Sequence, residues 1–227
     1  MDIQRLSLLE GAKRAKGITV IIDVYRAFTT AAYVMGNGAE RIIPITSVDK
    51  AFQLRKAHPS WILMGENHGY KIPGFEYGNS PVEVENIDFT GRTIVQRTSS
   101  GTQGISLASN ADEILLGSFV IAKALTRYII KRNTSTVSLV AMGWEGLTPT
   151  IEDELCADYL EAIIKGENPD FERIRREILA DPNSTKFSIL GQNSFNPRDP
   201  ELSLSLNRFD FAIKVMKDKL PFYSKIL

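Results

Sequence analysis

The stretch from Ile18 to Val34, ITVIIDVYRAFTTAAYV, constrains this chain more than any other. Its β-branched run Ile18-Thr19-Val20-Ile21-Ile22 ends at Asp23; Arg26 follows, and an alanine- and threonine-rich helical pattern begins near Ala27. A short apolar run closed by a polar turn and then a helix reads as a central parallel strand entering a crossover. Open parallel sheets gather ligands outside the carboxyl ends of their strands, where helix N-termini also point. Asp23 and Arg26 fall at that edge, a carboxylate for a cation beside a guanidinium for an anion. The competing reading is a plain salt bridge between the two.

The same strand-then-helix order recurs. Arg41 to Ile45 reads as a strand whose Pro44 belongs near the sheet edge or at a strand end. Ser47 can cap a helix that ends before Pro59, and Trp61 to Met64 is a strand leading to Gly65-Glu66. Further strands read at Thr93 to Arg97, Glu113 to Leu116 and Val137 to Met142, each followed by a helical pattern, the last running from Ile151 to Lys165. Phe171 to Leu179 gives another helix. Met1 to Leu9 is a candidate edge strand, Asp181 to Pro200 reads as loop, Phe209 to Val215 as the last strand, and Pro221 to Leu227 as a docked tail. The pattern predicts an α/β sheet with helices on both faces, and without repeats or linkers residues 1–227 read as one domain.

The periodicity fails from Asn67 to Pro81, where Gly and Pro interrupt every pattern; Tyr70, Phe75 and Tyr77 predict an ordered loop that packs back and forms part of a binding surface. Lys plus Arg balances Asp plus Glu at 27 each, so no global field draws the chain to nucleic acid or to an anionic membrane. No apolar segment is long enough to span a bilayer and the N-terminal residues do not read as a secretory signal, which makes a cytoplasmic protein the expectation. The single Cys156 excludes an internal disulfide and reads as a buried thiol. His58 and His68 are weak catalytic candidates, no His/Cys cluster suggests zinc, and neither a serine nucleophile elbow nor a dinucleotide fingerprint is present. A homodimer is the base-rate expectation for assembly.

Two further constellations carry chemistry. Thr98-Ser99-Ser100-Gly101-Thr102 lies between a strand and a helix, where backbone N–H groups can turn toward an oxyanion; it is not a P-loop, and an N-cap with a tight turn is the bland alternative. Glu152, Asp153 and Glu154 crowd the first turn of a helix, more carboxylates than helix-end electrostatics needs. Asp23, Glu66 and this acidic trio all fall at carboxyl ends of expected strands, and that convergence suits a hard cation such as Mg²⁺.

These blocks, in this order, resemble the 2-phosphosulfolactate phosphatase family. The resemblance rests on Val20 to Thr30 (VIIDVYRAFTT), Gly65-Glu66, Ile72-Pro73-Gly74-Phe75, Gly78-Asn79-Ser80-Pro81, Thr98 to Thr102, Gly117-Ser118-Phe119 and Glu152 to Ala157 (EDELCA). It implies a three-layer α/β/α fold with a largely parallel central sheet, and a Mg²⁺-dependent hydrolysis of 2-phosphosulfolactate to 3-sulfolactate and phosphate, a step toward coenzyme M. Under it, Asp23, Glu66, Glu152 and Asp153 would hold the metal, and Asp23, Arg26 and Glu66 would be catalytic. Arg26, Ser99, Ser100, Gly101, Thr102 and Ser118 would hold phosphate, with Lys71 and Asn79 contacting the rest of a small phosphorylated, sulfonated organic acid. The chain departs from the family pattern at Asn67-His68, where the family has Arg-Gly, and at Phe28, Ser100 and Asp158. The metal carboxylates survive these changes, whereas the anion pocket is altered. A non-catalytic or re-purposed anion-binding protein on the same fold is the alternative.

Overall fold

The structure, a computed structural model, describes residues 1–188 and 195–227. In chain order the elements are β1 (Asp2–Ser7), α1 (Leu8–Arg14), β2 (Gly17–Ile22), α2 (Ala27–Gly36), β3 (Arg41–Ile45), α3 (Val48–Ala57), β4 (Ile62–Asn67), β5 (Tyr70–Lys71) and α4 (Pro81–Val84). Then come β6 (Thr93–Arg97), α5 (Gly101–Leu107), β7 (Ala111–Gly117), α6 (Ala122–Arg132), β8 (Thr136–Ala141), α7 (Ile151–Ile164), α8 (Phe171–Ala180), α9 (Asp199–Ser203), β9 (Ala212–Met216) and β10 (Phe222–Ile226). Among the described residues no helix is long and apolar enough to cross a membrane.

The strands form one ten-stranded sheet in the order β1-β8-β2-β7-β9-β10-β3-β6-β4-β5. β2, buried along its whole length, pairs in parallel with β7 on one side and β8 on the other, which is why its sequence is a continuous β-branched run. Side chains alternate across the sheet. Ile21 and Ile42 enter a core with Ala12 of α1, most of α2 and Ile105 of α5. Val20 and Ile22 point the other way, into a core with Leu125 of α6 and Leu160 of α7. Ile43 and Ile45 share that second side and meet Ala51 and Leu54 of α3. Helices therefore cover both faces, giving the expected α/β/α layering.

The parallel strands fall into two blocks, β1-β8-β2-β7 and β3-β6-β4, joined through the antiparallel pair β9–β10. Only Tyr223 opposite Ile42 connects β10 to β3. Three antiparallel steps in succession make the two blocks run in opposite senses along the ladder. Twist of about 20–25° per neighbouring pair accumulates to roughly 100–125° from β2 to β6. That rotation lets the carboxyl ends of both blocks reach one cleft.

Three sequence expectations change here. The tail from Pro221 holds a paired strand, β10, inside the sheet, and the strand read at Phe209 to Val215 begins at Ala212 and is not the last. Pro44 sits in an internal strand, tolerated because β10 has left the ladder after Ile42 while β6 pairs on the other side. The segment read as loop from Asp181 to Pro200 carries a 3-10 helix, Pro182–Ser188, and the start of α9, with residues 189–194 outside the described part.

Tyr223 is the largest fully buried side chain and stacks edge-on against Phe28 at 6.3 Å, at the one pairing that joins the two blocks. Tyr223→Ala should lower stability by about 3–5 kcal/mol. Tyr223→Phe, which removes a buried hydroxyl with no partner among the described residues, should cost nothing or stabilise slightly. Urea denaturation measures both; a Tyr223→Ala loss under 1 kcal/mol would mean that the junction is not under load.

Candidate active site

Asp23 follows β2 directly and is 5% exposed. One carboxylate oxygen accepts the N–H of Ala27, at the start of α2, at 3.0 Å; the other accepts the N–H of Gly101, at the start of α5, at 3.1 Å. Position 101 needs glycine for this. A Cβ there would lie 3.0 Å from that Asp23 oxygen and 2.7 Å from the Phe28 ring. Glu66, near the end of β4, does the same for the second block: it accepts the N–H of Gly69 at 2.7 Å, the hydroxyl of Ser99 at 3.0 Å and the N–H of Ser99. Gly65 before it has a φ of +148°, and a Cβ would fall 2.0 Å from the Arg97 carbonyl, so β4 and β6 close together only around a glycine.

Asp153, in the first turn of α7, accepts from the N–H of Val24 at 2.7 Å and of Gly143 at 2.8 Å, tying the end of β2 to the loop after β8. Its two acidic neighbours diverge around the helix. Glu152 is buried, whereas Glu154 turns toward β1 and pairs with Arg5 at 3.1 Å, a structural bridge.

The buried carboxylates repel one another. Burial pushes the Asp23 carboxyl up to about 7, helped by the charges of Glu66 and Glu152 and opposed by its two amide hydrogen bonds. Asp153 is raised well above the usual range, by burial first and then by Asp23 and Glu152. Burial also raises Glu152, while Lys186 draws it down.

Arg26 is buried beside them, and its partner is not Asp23. Its guanidinium donates to Asp199 of α9 at 2.8 Å and to the Gly69 carbonyl at 3.1 Å, and it lies 4.8 Å from the centre of the Phe195 ring. The reading of an Asp23–Arg26 salt bridge is thus corrected: Asp23 faces amides, and Asp199, fully buried and also bonded by the Ser80 hydroxyl, holds the arginine.

Of the residues singled out in the sequence, Asp23, Arg26, Glu66, Asn79, Ser99 and Ser100 line one cleft, together with Trp144, Glu145 and Phe195. The side-chain carbonyl of Asn79 has no partner among the described residues, and Ser100 donates to the Gly143 carbonyl at 2.9 Å. The Ser/Thr/Gly turn differs from the expected oxyanion cradle. The N–H groups of Ser99, Gly101 and Thr102 go to Glu66, Asp23 and the Thr98 hydroxyl, because buried carboxylates and hydroxyls need those donors. Thr102 faces another groove, behind α5. Lys71 is exposed and donates to the Glu76 carbonyl at 2.7 Å, and Ser118 is fully buried with no partner among the described residues. Neither lines the cleft, nor do Glu152 and Asp153, which stand behind Asp23.

The long loop is ordered, with Ile72 and Phe75 packed into the core over α3 and Phe75 edge-on to Phe52 at 5.6 Å. His68 is exposed and pairs with Glu145. Sequence reasoning missed Asp199, Phe195, Lys186 and Trp144. The aromatic pair Phe187 and Phe195 inside a stretch otherwise rich in polar residues and proline was the available signal for three of them.

Among the described residues no three His, Cys, Asp or Glu side chains are grouped closely enough to hold a metal by themselves. Mg²⁺ asks for less: one or two carboxylates, with water and substrate oxygens completing the shell. Asp23 and Glu66, all-oxygen donors opening on the same cleft within a surplus of buried negative charge, fit that requirement.

The family model described as 2-phosphosulpholactate phosphatase matches residues 4–195. A protein of Caldicellulosiruptor saccharolyticus named "Probable 2-phosphosulfolactate phosphatase" is 39% identical over 155 residues, 66% of this chain and 64% of that one, just under two thirds of its length. Proteins with the same name from Bacillus subtilis and Thermoplasma volcanium are 30% and 28% identical, covering 92% and 89% of this chain and 92% and 91% of theirs. Matched along nearly its whole length, the chain belongs to the 2-phosphosulfolactate phosphatase family, phosphoric monoester hydrolases.

Proposed function

We propose that the protein is a Mg²⁺-dependent phosphatase that hydrolyses 2-phosphosulfolactate to 3-sulfolactate and phosphate. The observation that carries this reading is the meeting of Asp23 and Glu66 with Arg26, Asn79, Ser99 and Ser100 in one cleft of a chain from this family. Asp23 and Glu66 would hold the cation. When bound, Mg²⁺ supplies charge neutralisation at the phosphoryl oxygens and a more acidic water. Each carboxylate is fixed by one backbone N–H from the turn after its own strand and one from the turn after β6, so neither needs to reorganise when substrate arrives. Arg26, held by Asp199, and the side-chain amide of Asn79 would contact the phosphate, and the Ser99 and Ser100 hydroxyls would join them by turning from Glu66 and the Gly143 carbonyl, to which they now donate. Asp153 and Glu152 act from behind as positioning residues, through the amides of Val24 and Gly143 and through their charge on Asp23.

One observation favours the non-catalytic alternative: the turn amides that could cradle an anion are already bonded to protein oxygens. The two readings separate on turnover. Asp23→Asn should lower kcat for 2-phosphosulfolactate by about 10²–10⁴-fold while the urea midpoint is unchanged or raised. A folded Asp23→Asn variant with full activity would remove Asp23 from the chemistry.

The raised carboxyls also set a pH dependence. In the metal-free protein Asp23 titrates near 7 rather than 3.8, so the stability associated with its protonated form is present below pH 4 and is lost as pH rises through 7. Asp23 would have to give up that proton to hold Mg²⁺. Titration calorimetry in buffers of different ionisation enthalpy should therefore show proton release on Mg²⁺ binding near pH 7, with affinity weakening by up to about tenfold per pH unit below it for each proton displaced. Mg²⁺ affinity that is flat from pH 5 to pH 8 would place the cation elsewhere.

A further inference from the structure

Lys186 lies outside the sequence blocks on which the family resemblance rests, though within the range that the family model matches. It sits in the 3-10 helix Pro182–Ser188, and its ammonium lies over an aromatic wall, 4.7 Å from the ring centre of Trp144, 5.3 Å from that of Phe187 and 5.9 Å from that of Phe195. Trp144 and Phe195 line the cleft. The lysine is half-buried. Burial pulls its ammonium below the ordinary value, opposed by the attraction of Glu152, Asp153 and Asp23 and reinforced by Arg26. Despite those neighbours its nitrogen closes no salt bridge or hydrogen bond among the described residues.

On the reading given above, the substrate carries a phosphate, a carboxylate and a sulfonate. The cleft it must enter is lined by the carboxylates of Asp23, Glu66 and Glu145, and the buried Arg26 is already matched by Asp199. So many like charges demand further cations. With the phosphate assigned to Arg26, Ser99 and Ser100, the Trp144–Phe195 wall is left for the far end of the molecule. Its ring faces suit a methylene, and two cations reach that wall: Arg26, 4.8 Å from the Phe195 ring centre and matched by Asp199, and Lys186, which can meet the sulfonate. We propose that Lys186 is a specificity-determining residue that holds the sulfonate of the substrate. This rests on the phosphatase reading, and its test separates the two.

The test compares wild type, Lys186→Met and Lys186→Arg on 2-phosphosulfolactate and on 2-phospholactate, which has a methyl group in place of the sulfomethyl, with Mg²⁺ present. Wild type should prefer the sulfonated ester. In Lys186→Met the ratio of kcat/KM between the two esters should fall about 10–100-fold, mainly through KM on 2-phosphosulfolactate. Lys186→Arg should restore most of the preference. An unchanged ratio, or equal losses on both esters, would overturn the assignment. Calorimetric titration of wild type with 3-sulfolactate and with lactate gives a readout independent of turnover and of whether Lys186→Met folds. A preference of at least about tenfold for 3-sulfolactate is expected, and equal binding would overturn the proposal. If wild type hydrolyses neither ester but still prefers 3-sulfolactate, and Lys186→Arg keeps that preference while Lys186→Met loses it, the phosphatase reading fails and the sulfonate assignment stands.

Discussion

Buried carboxylates bonded to backbone N–H groups hold this structure's cleft together. Asp23 joins the starts of α2 and α5, Asp153 joins the end of β2 to the loop after β8, and Glu66 joins its own turn to the end of β6. The bonds from Gly101, Val24 and Ser99 cross between elements distant in sequence, so the carboxylates act as staples at the carboxyl ends of the strands. The two parallel blocks, connected through the sheet by one residue pair between β10 and β3, meet again at these staples. The glycines at 65 and 101 belong to the same constraint, since a side chain at either would push apart the groups that the carboxylates join.

Satisfying hydrogen bonds does not neutralise charge. Asp23, Asp153 and Glu152 remain close together in a poorly solvated region, and their raised carboxyls express that cost. The structure thus concentrates negative charge where a family of phosphatases must bring an anionic ester. On the proposed reading, a cation at Asp23 and Glu66, the Asp199-held Arg26 and Lys186, which closes no salt bridge among the described residues, would be three separate answers to one electrostatic problem.

Much of this was legible in the sequence. The β-branched run of β2 with Asp23 after it, the Gly65-Glu66 strand end and the hydroxyl-rich turn before α5 are local signals, and their places in the fold follow from period and turn chemistry. What escaped depended on tertiary geometry. Asp199 reads as an ordinary residue before a proline until α9 brings it to Arg26. β10 reads as a tail because a strand of mixed burial shows no clean alternation until β9 and β3 flank it. The turn around Ser99 to Thr102 has the composition of an anion cradle, yet its amides face carboxylates, which composition alone cannot reveal. Lys186 and Phe195 flank a short mixed stretch in which no periodicity points to a site.

The most direct measurement is phosphate release from 2-phosphosulfolactate by the purified wild-type protein, with Mg²⁺ and after its removal by a chelator, beside a set of small phosphomonoesters. The account predicts release that requires Mg²⁺ and is fastest on the sulfonated ester. Absence of release from any ester by the folded protein, with Mg²⁺ supplied, would contradict it and leave an anion-binding protein on a phosphatase fold.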